Sequence, residues 1–210
     1  MGLFISFEGP DGSGKSTQAH LLAEALRARG LPVTETREPG GTPVGERVRD
    51  VLLDPDSPSP SPLVMALLLS ASRAQLVEDV IRPALARGDI VVVDRYADST
   101  TAYQGFGLGV DRSILNEMRK IATGGLDPNV TVYVDVEPRV GAARMKRRGA
   151  HNRLDRESEA FHARVREGYR QLIAEAGKRW VCVDGDAPPE AVHQQIMTRL
   201  LPLIEPAVPA

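Results

Sequence analysis

The run LFISFEGPDGSGKST, residues 3–17, limits the fold of this chain more than any other stretch. Gly9, four further residues, then Gly14, Lys15 and Ser16 satisfy the pattern GxxxxGK[ST]. A β-rich apolar run precedes the pattern, and Leu21, Leu22, Ala25 and Leu26 recur after it at helical spacing. A strand that feeds a glycine turn at a helix N-terminus aims backbone N–H groups and the positive end of the helix at an anion. Lys15 is in register to reach terminal phosphates, and the Ser16 hydroxyl to ligate Mg²⁺. A turn that only reversed the chain would need neither. The candidate triphosphate loop is therefore Gly9, Pro10, Asp11, Gly12, Ser13, Gly14, Lys15, Ser16 and Thr17.

Other short apolar runs follow at LFISF (3–7), VTET (33–36), IVVVD (90–94), VTVYVDV (130–136) and WVCVD (180–184), with longer amphipathic stretches between them. That alternation predicts an α/β fold, a parallel sheet with helices on both faces. RARG closes the first helix with basic side chains and a glycine, and TGGLDPN (123–129) breaks a later one. DPDSPSPSP (54–62) reads as a stiff surface connection into a helix beginning PLVMALLLSASRAQ. The C-terminal LPLIEPAVPA is expected to fray after the last helix. Length asks for no second domain, so residues 1–210 are read as one.

Composition excludes several classes of function. A formal net charge of -2 with mixed signs argues against a nucleic-acid coat or an anionic-membrane binder. The lone cysteine, Cys182 in RWVCV, rules out an internal disulfide and reads as a small core residue. His20, His151, His162 and His193 are scattered without metal-ligand spacing, so no zinc site is expected. No window reaches the roughly 18 apolar residues of a membrane span, and no leader pattern opens the chain. A soluble, cytoplasmic protein is expected.

A triphosphate loop leaves open a GTPase, a motor, a small-molecule kinase and a non-catalytic sensor. No NKxD guanine-reading tetrad occurs, and the chain is short for a motor, which favours the kinase. IVVVDRY ends a buried strand in Asp94 and Arg95, where open α/β sheets bind ligands. Asp94 stands in the Walker-B position, suited to the hydration shell of Mg²⁺, and Arg95 offers a planar fork to a second phosphate. An ordinary Asp/Arg pair closing the strand is the alternative at this point.

FEGPDGSGKST (7–17), TREPGGTPVGERVR (36–49), LLLSASRAQ (67–75), DRYADSTTAYQG (94–105) and RMKRRGAHNRLDRES (144–158) together resemble the thymidylate kinase family across nearly the whole chain. EPGG and STTAYQG are far more specific than the phosphate loop. The resemblance implies a P-loop NTPase fold with a central five-stranded parallel sheet flanked by helices, and a small basic lid at about 144–157. It implies transfer of the γ-phosphoryl group of ATP to dTMP, with Mg²⁺, in a protein that is usually a homodimer.

Roles for individual residues come from the same resemblance. Asp11 looks like the acid that accepts a hydrogen bond from the sugar 3′-OH, since a residue lining ATP alone has no use for a carboxylate beside phosphates. Glu38, Pro39 and Arg49 resemble the acceptor wall, with Arg49 and Arg95 clamping the dTMP phosphate. Arg73 and Gln104 would read the thymine ring, Tyr103 would sit against the deoxyribose C2′, and Ser99 would help to seat the base or Gln104. Leu69 stands where many members place a stacking aromatic. Gly12 occupies a loop position at which members with glycine carry their catalytic arginine in the lid. Arg148 and Arg153 are the lid candidates, supported by Arg144 and Arg147, with Arg144 also on the ATP side. A solvated basic face is the competing reading of the lid run. A kinase for another nucleoside monophosphate and a non-catalytic nucleotide module are the competing readings of the whole chain.

Overall fold

The computed structural model describes residues 2–54, 56, 58–149 and 157–204. Five strands, β1 (Leu3–Glu8), β2 (Val33–Arg37), β3 (Ile90–Asp94), β4 (Val130–Asp135) and β5 (Trp180–Asp184), form one parallel sheet in the order β2-β3-β1-β4-β5. Each falls on an apolar run singled out above, with ends moved by at most a residue. β3 is buried on both faces, which explains why IVVV reads as a continuous apolar run and not as an alternating one. The register pairs Phe7 with Asp94, so Glu8 and the glycine turn leave β1 beside the end of β3.

Helices cover both faces. On one, Ile5 and Phe7 of β1 pack with Leu22 and Leu26 of α1 (Lys15–Arg27) and Ile196 and Leu200 of α9 (Pro189–Ile204). On the other, Phe4, Val91 and Val93 meet Leu76, Ile81 and Tyr96. α2 (Pro43–Leu53) and α3 (Pro62–Leu76) start alike: Thr42 and Ser61 accept from the N–H groups of Gly45 and Val64, and proline fills the first turn of each helix. α3 runs on through a π-helical turn, Val77–Ile81, into α4 (Arg82–Ala86). Pro83 lacks an N–H and its ring crowds the carbonyl four residues back, and the wider turn makes room for it.

After β3, α5 (Ala97–Thr100) passes into a second π-helical stretch, Thr101–Gly107, and α6 (Arg112–Thr123) is capped by Asp111. α7 (Pro138–Arg148) and α8 (Glu159–Ala176) follow β4. A third cluster joins Tyr103, Tyr133, Phe161, Tyr169 and Trp180 behind the π-helical stretch.

Two expectations are corrected. Cys182 is exposed, not core: β5 is an edge strand with a neighbour on one side, and its apolar run marked the strand without marking which residues the helices cover. The chain does not fray from residue 201, because α9 continues to Ile204, which is buried in the core; the residues after it lie outside those described. No helix among the described residues is long and apolar enough to cross a membrane.

Candidate active site

The C-terminal ends of β1, β2 and β3 open into one cleft of about 950 Å³. Asp11, Gly12, Lys15 and Ser16 form its floor on the phosphate-loop side. Glu38 and Pro39 enter from the end of β2, Arg49 and Leu53 from α2, and Leu69 and Arg73 from α3. Asp94 and Arg95 come from the end of β3, and Ser99, Tyr103 and Gln104 from the helical segment after it. Residues as far apart in the chain as Asp11 and Met145 thus converge because the parallel sheet brings all its loops to one edge.

The loop needs glycine for two reasons. Gly12 has a φ of 76°, and a Cβ there would stand 2.3 Å from the carbonyl oxygen of Gly141 in α7. A Cβ at Gly141 would in turn stand 2.6 Å from the Asp11 carbonyl oxygen, so the loop and α7 pack backbone to backbone. Lys15 is buried, with its Nζ 3.4 Å from the Pro10 carbonyl and 3.6 Å from Asp11 Oδ1. Burial, then the charge of Arg95, lower its pKa from the ordinary lysine value. Ser16 is exposed at the cleft, whereas Thr17 is exposed on the first turn of α1 and does not line it. Ser13 is buried, and its hydroxyl has no partner.

Asp94 Oδ1 is also buried without a hydrogen-bond partner, in the cleft that Ser16 lines. A spare carboxylate oxygen and a hydroxyl are hard donors that fit Mg²⁺. Among the described residues no cluster of three or more His, Cys, Asp or Glu could cage an ion.

Arg95 is the one non-glycine described residue at positive φ, 71°. Its backbone N–H donates to the Phe7 carbonyl at 2.9 Å. Nη2 donates to Asp11 Oδ1 at 2.5 Å and to the Tyr103 hydroxyl at 3.0 Å, while that hydroxyl donates to Asp11 Oδ2 at 2.8 Å. Nη1 is 3.0 Å from Ser99 Oγ, 3.3 Å from the Gly9 carbonyl and 3.5 Å from the Tyr169 hydroxyl. Burial opposes the charge of Asp11, yet Arg95, Lys15 and the Tyr103 hydroxyl together hold its carboxyl well below the usual range. Asp11 is therefore ionised and is the counter-charge of the arginine.

Arg73 and Glu38 form a nearly inaccessible pair: Nε donates to Oε1 at 3.1 Å and Oε2 at 2.8 Å, and Nη2 lies 2.7 Å from Oε2. Nη2 also reaches Thr100 Oγ1 at 2.9 Å and the Tyr96 carbonyl at 3.3 Å. The Glu38–Pro39 peptide is cis, and the Pro39 carbonyl accepts from Arg49 Nη1 at 2.9 Å. Gln104 is buried with its Oε1 unpartnered, and Leu69 is half-buried; both line the cleft. Ser99 also lines the cleft. Its hydroxyl lies 2.5 Å from Glu8 Oε2, 2.9 Å from the Tyr169 hydroxyl and 3.0 Å from Arg95 Nη1.

The basic segment is only partly in view. Arg144 Nη1 donates to the carbonyls of Gly185 at 2.7 Å and Gly12 at 3.5 Å, tying α7 to the loop and to the turn after β5. Arg147 is exposed. The expectations for the Arg148 side chain and for Arg153 lie outside the described residues.

Sequence reasoning missed Glu8, Tyr169, Thr100 and Leu53. Glu8 carried a signal, a carboxylate ending the apolar run LFISFE, and burial followed by the charge of Asp98 pushes it up to about 7. Tyr169 carried none, being one aromatic in a long amphipathic helix.

A phosphate loop, a Walker-B aspartate and a second set of arginines in one cleft define a P-loop phosphotransferase acting on a phosphorylated acceptor. A model of the thymidylate kinase family matches residues 7–196. The thymidylate kinase of Roseiflexus sp. (strain RS-1) is 49% identical over 208 residues, covering 93% of this chain and 92% of that one. The thymidylate kinase of Deinococcus radiodurans is 49% identical over 195 residues, covering 93% and 94%. The crystal structure of thymidylate kinase from Ehrlichia chaffeensis superposes with a TM-score of 0.77 at 32% identity, over 95% of this chain and 98% of that chain. The chain belongs to the thymidylate kinase family.

Proposed function

We infer that the chain transfers the γ-phosphoryl group of ATP to dTMP, yielding ADP and dTDP, a step of dTTP supply in the cytoplasm. The observation that carries this reading is the single cleft in which Lys15 and Ser16 share walls with Arg49, Arg73 and Arg95. A donor triphosphate and an acceptor monophosphate can occupy it end to end, and alignment is the main requirement of such a transfer.

The loop N–H groups and Lys15 hold the donor phosphates, and Arg49 and Arg95 clamp the acceptor phosphate. Ser16 and Asp94 would hold Mg²⁺, which supplies neutralising charge on the donor phosphates. No general base is needed, because a phosphate monoester oxygen is already ionised near neutral pH. Asp11 meets the sugar 3′-OH, and Tyr103, whose position is fixed by bonds to both Asp11 and Arg95, would crowd a ribose 2′-OH. Arg73, held by Glu38, and the unpartnered Gln104 Oε1 read the base, which rests on Pro39, Leu53 and Leu69. Gly12 in the phosphate loop supports a reading as the bacterial type, in which the catalytic arginines would sit in the lid, here Arg148 and Arg153.

The exposed apolar side chains Leu63, Val64 and Leu67 on α3 support a homodimer packed through that helix. Neither nucleic acid nor a membrane is a partner in this reading.

ADP release measured across dTMP, dUMP and UMP tests the activity. Turnover is expected with dTMP and Mg²⁺, loss with EDTA, and a fall of about 10²–10³ in kcat for Lys15→Ala. ATP binding without ADP release on any monophosphate would refute the reading.

A further inference from the structure

We propose that Glu8, Ser99 and Tyr169 form a positioning relay that fixes the guanidinium of Arg95 for the acceptor phosphate. The proposal rests on the kinase reading above and adds to it the residues behind the clamp.

Glu8 ends β1 fully buried beneath the cleft and does not line it. Its Oε1 accepts from the Tyr96 N–H at 2.8 Å. Its Oε2 accepts from Ser99 Oγ at 2.5 Å and from the Tyr169 hydroxyl at 2.8 Å. An ionised carboxylate only accepts, so both hydroxyl hydrogens turn toward it. The lone pairs of Ser99 and Tyr169 are then left facing Arg95 Nη1, at 3.0 Å and 3.5 Å. A neutral group at Glu8 would itself donate to one hydroxyl and turn that hydroxyl's hydrogen toward the guanidinium, which accepts nothing.

The geometry has a reason to exist. Arg95 sits at a φ of 71°, a backbone region that favours glycine, and something must hold it there. Asp11 and Tyr103 grip Nη2 from the cleft side, where a nucleotide would compete for both. The relay grips Nη1 through Ser99, at the cleft wall, which is anchored in turn by Glu8 and Tyr169, both buried and neither lining the cleft. Nη1 therefore keeps its partners when the acceptor takes over Asp11. Around Glu8, Asp98 adds to burial in disfavouring the charge, while Ser99, Arg95 and the Tyr96 N–H favour it. Asp98 is itself held by Arg179 at 2.7 Å and 2.8 Å. Raising the pH favours the ionised carboxylate and, with it, this orientation of the hydroxyls.

A double-mutant cycle at pH 8 tests the relay, using wild type, Glu8→Gln, Arg95→Ala and the pair. Glu8→Gln is expected to lower kcat/KM for dTMP by about tenfold while the KM for ATP stays within about twofold. In the Arg95→Ala background it should have no further effect, because a residue acting through Arg95 has nothing left to position. An equal loss in both backgrounds would overturn the proposal. Tyr169→Phe, which removes one hydroxyl and keeps the ring packing, runs the same cycle should Glu8→Gln fail to fold. If wild type turns over no monophosphate, the kinase reading falls. The relay is then judged by pyrophosphate-induced shifts of the unfolding midpoint, which Tyr169→Phe must reduce only when Arg95 is present.

Discussion

At Arg95 a long charged side chain occupies a backbone conformation that costs about 1–3 kcal/mol outside glycine. Hydrogen bonds to Asp11, Tyr103, Ser99 and the Gly9 carbonyl offset that cost, so strain is held where the acceptor phosphate is expected. The Arg73–Glu38 pair is buried in the same way, and breaking it should be expensive. Glu38→Gln leaves a buried guanidinium without its counter-charge and should destabilise the fold by about 3–5 kcal/mol in urea unfolding. A cost below about 1 kcal/mol would mean that water already reaches the pair. Leu69 covers the proposed base position with an aliphatic surface where a ring would stack. Leu69→Phe should lower the dTMP KM, stacking being worth about 1 kcal/mol, and a rise or no change would move the base elsewhere. The sequence made Lys15, Asp94 and Arg95 legible through chemistry at fixed spacing. Asp11, Arg73 and Gln104 were legible only through the family motifs. Glu8 left only a faint mark, a carboxylate closing an apolar run, and Tyr169 none, because one helical tyrosine looks like core until the fold brings the two together.

Among the elements, the strands were legible almost to the residue, since their apolar runs are short, β-branched and bounded by turn residues. The two π-helical stretches were not. The first makes room for Pro83, but a proline two residues into a helix does not by itself announce a wider turn, and the second, which carries Tyr103 and Gln104 into the cleft, has no proline to mark it. The close approach of α7 to the phosphate loop was equally hidden, because Gly12 and Gly141 are ordinary glycines in the sequence. Gly141→Ala should push its new methyl into the Asp11 carbonyl and raise the KM for ATP by roughly tenfold, about 1.4 kcal/mol. An unchanged KM would mean that α7 shifts freely against the loop. In the basic segment after α7, Arg153→Ala should cut turnover at least about tenfold with little change in dTMP KM. Full activity would return that segment to a solvated face.

For the molecule as a whole, the order β2-β3-β1-β4-β5 places the loop strand at the centre, between the strand that ends in Asp94 and the one that leads to α7. Lys15, Ser16, Asp94, Arg49, Arg73 and Arg95 therefore meet at one edge of one sheet. The exposed apolar stripe of α3 belongs to this scale too: light scattering should find the proposed dimer for the wild type and a monomer for Leu67→Arg, whereas a monomeric wild type would refute the dimer and a dimeric variant would put the interface elsewhere. The central claim is that ATP and dTMP occupy the cleft together and exchange the phosphoryl group directly. Initial velocities measured while both substrates are varied test it. Intersecting double-reciprocal lines are predicted, and parallel lines, the mark of a phosphoryl-enzyme formed before dTMP binds, would contradict it.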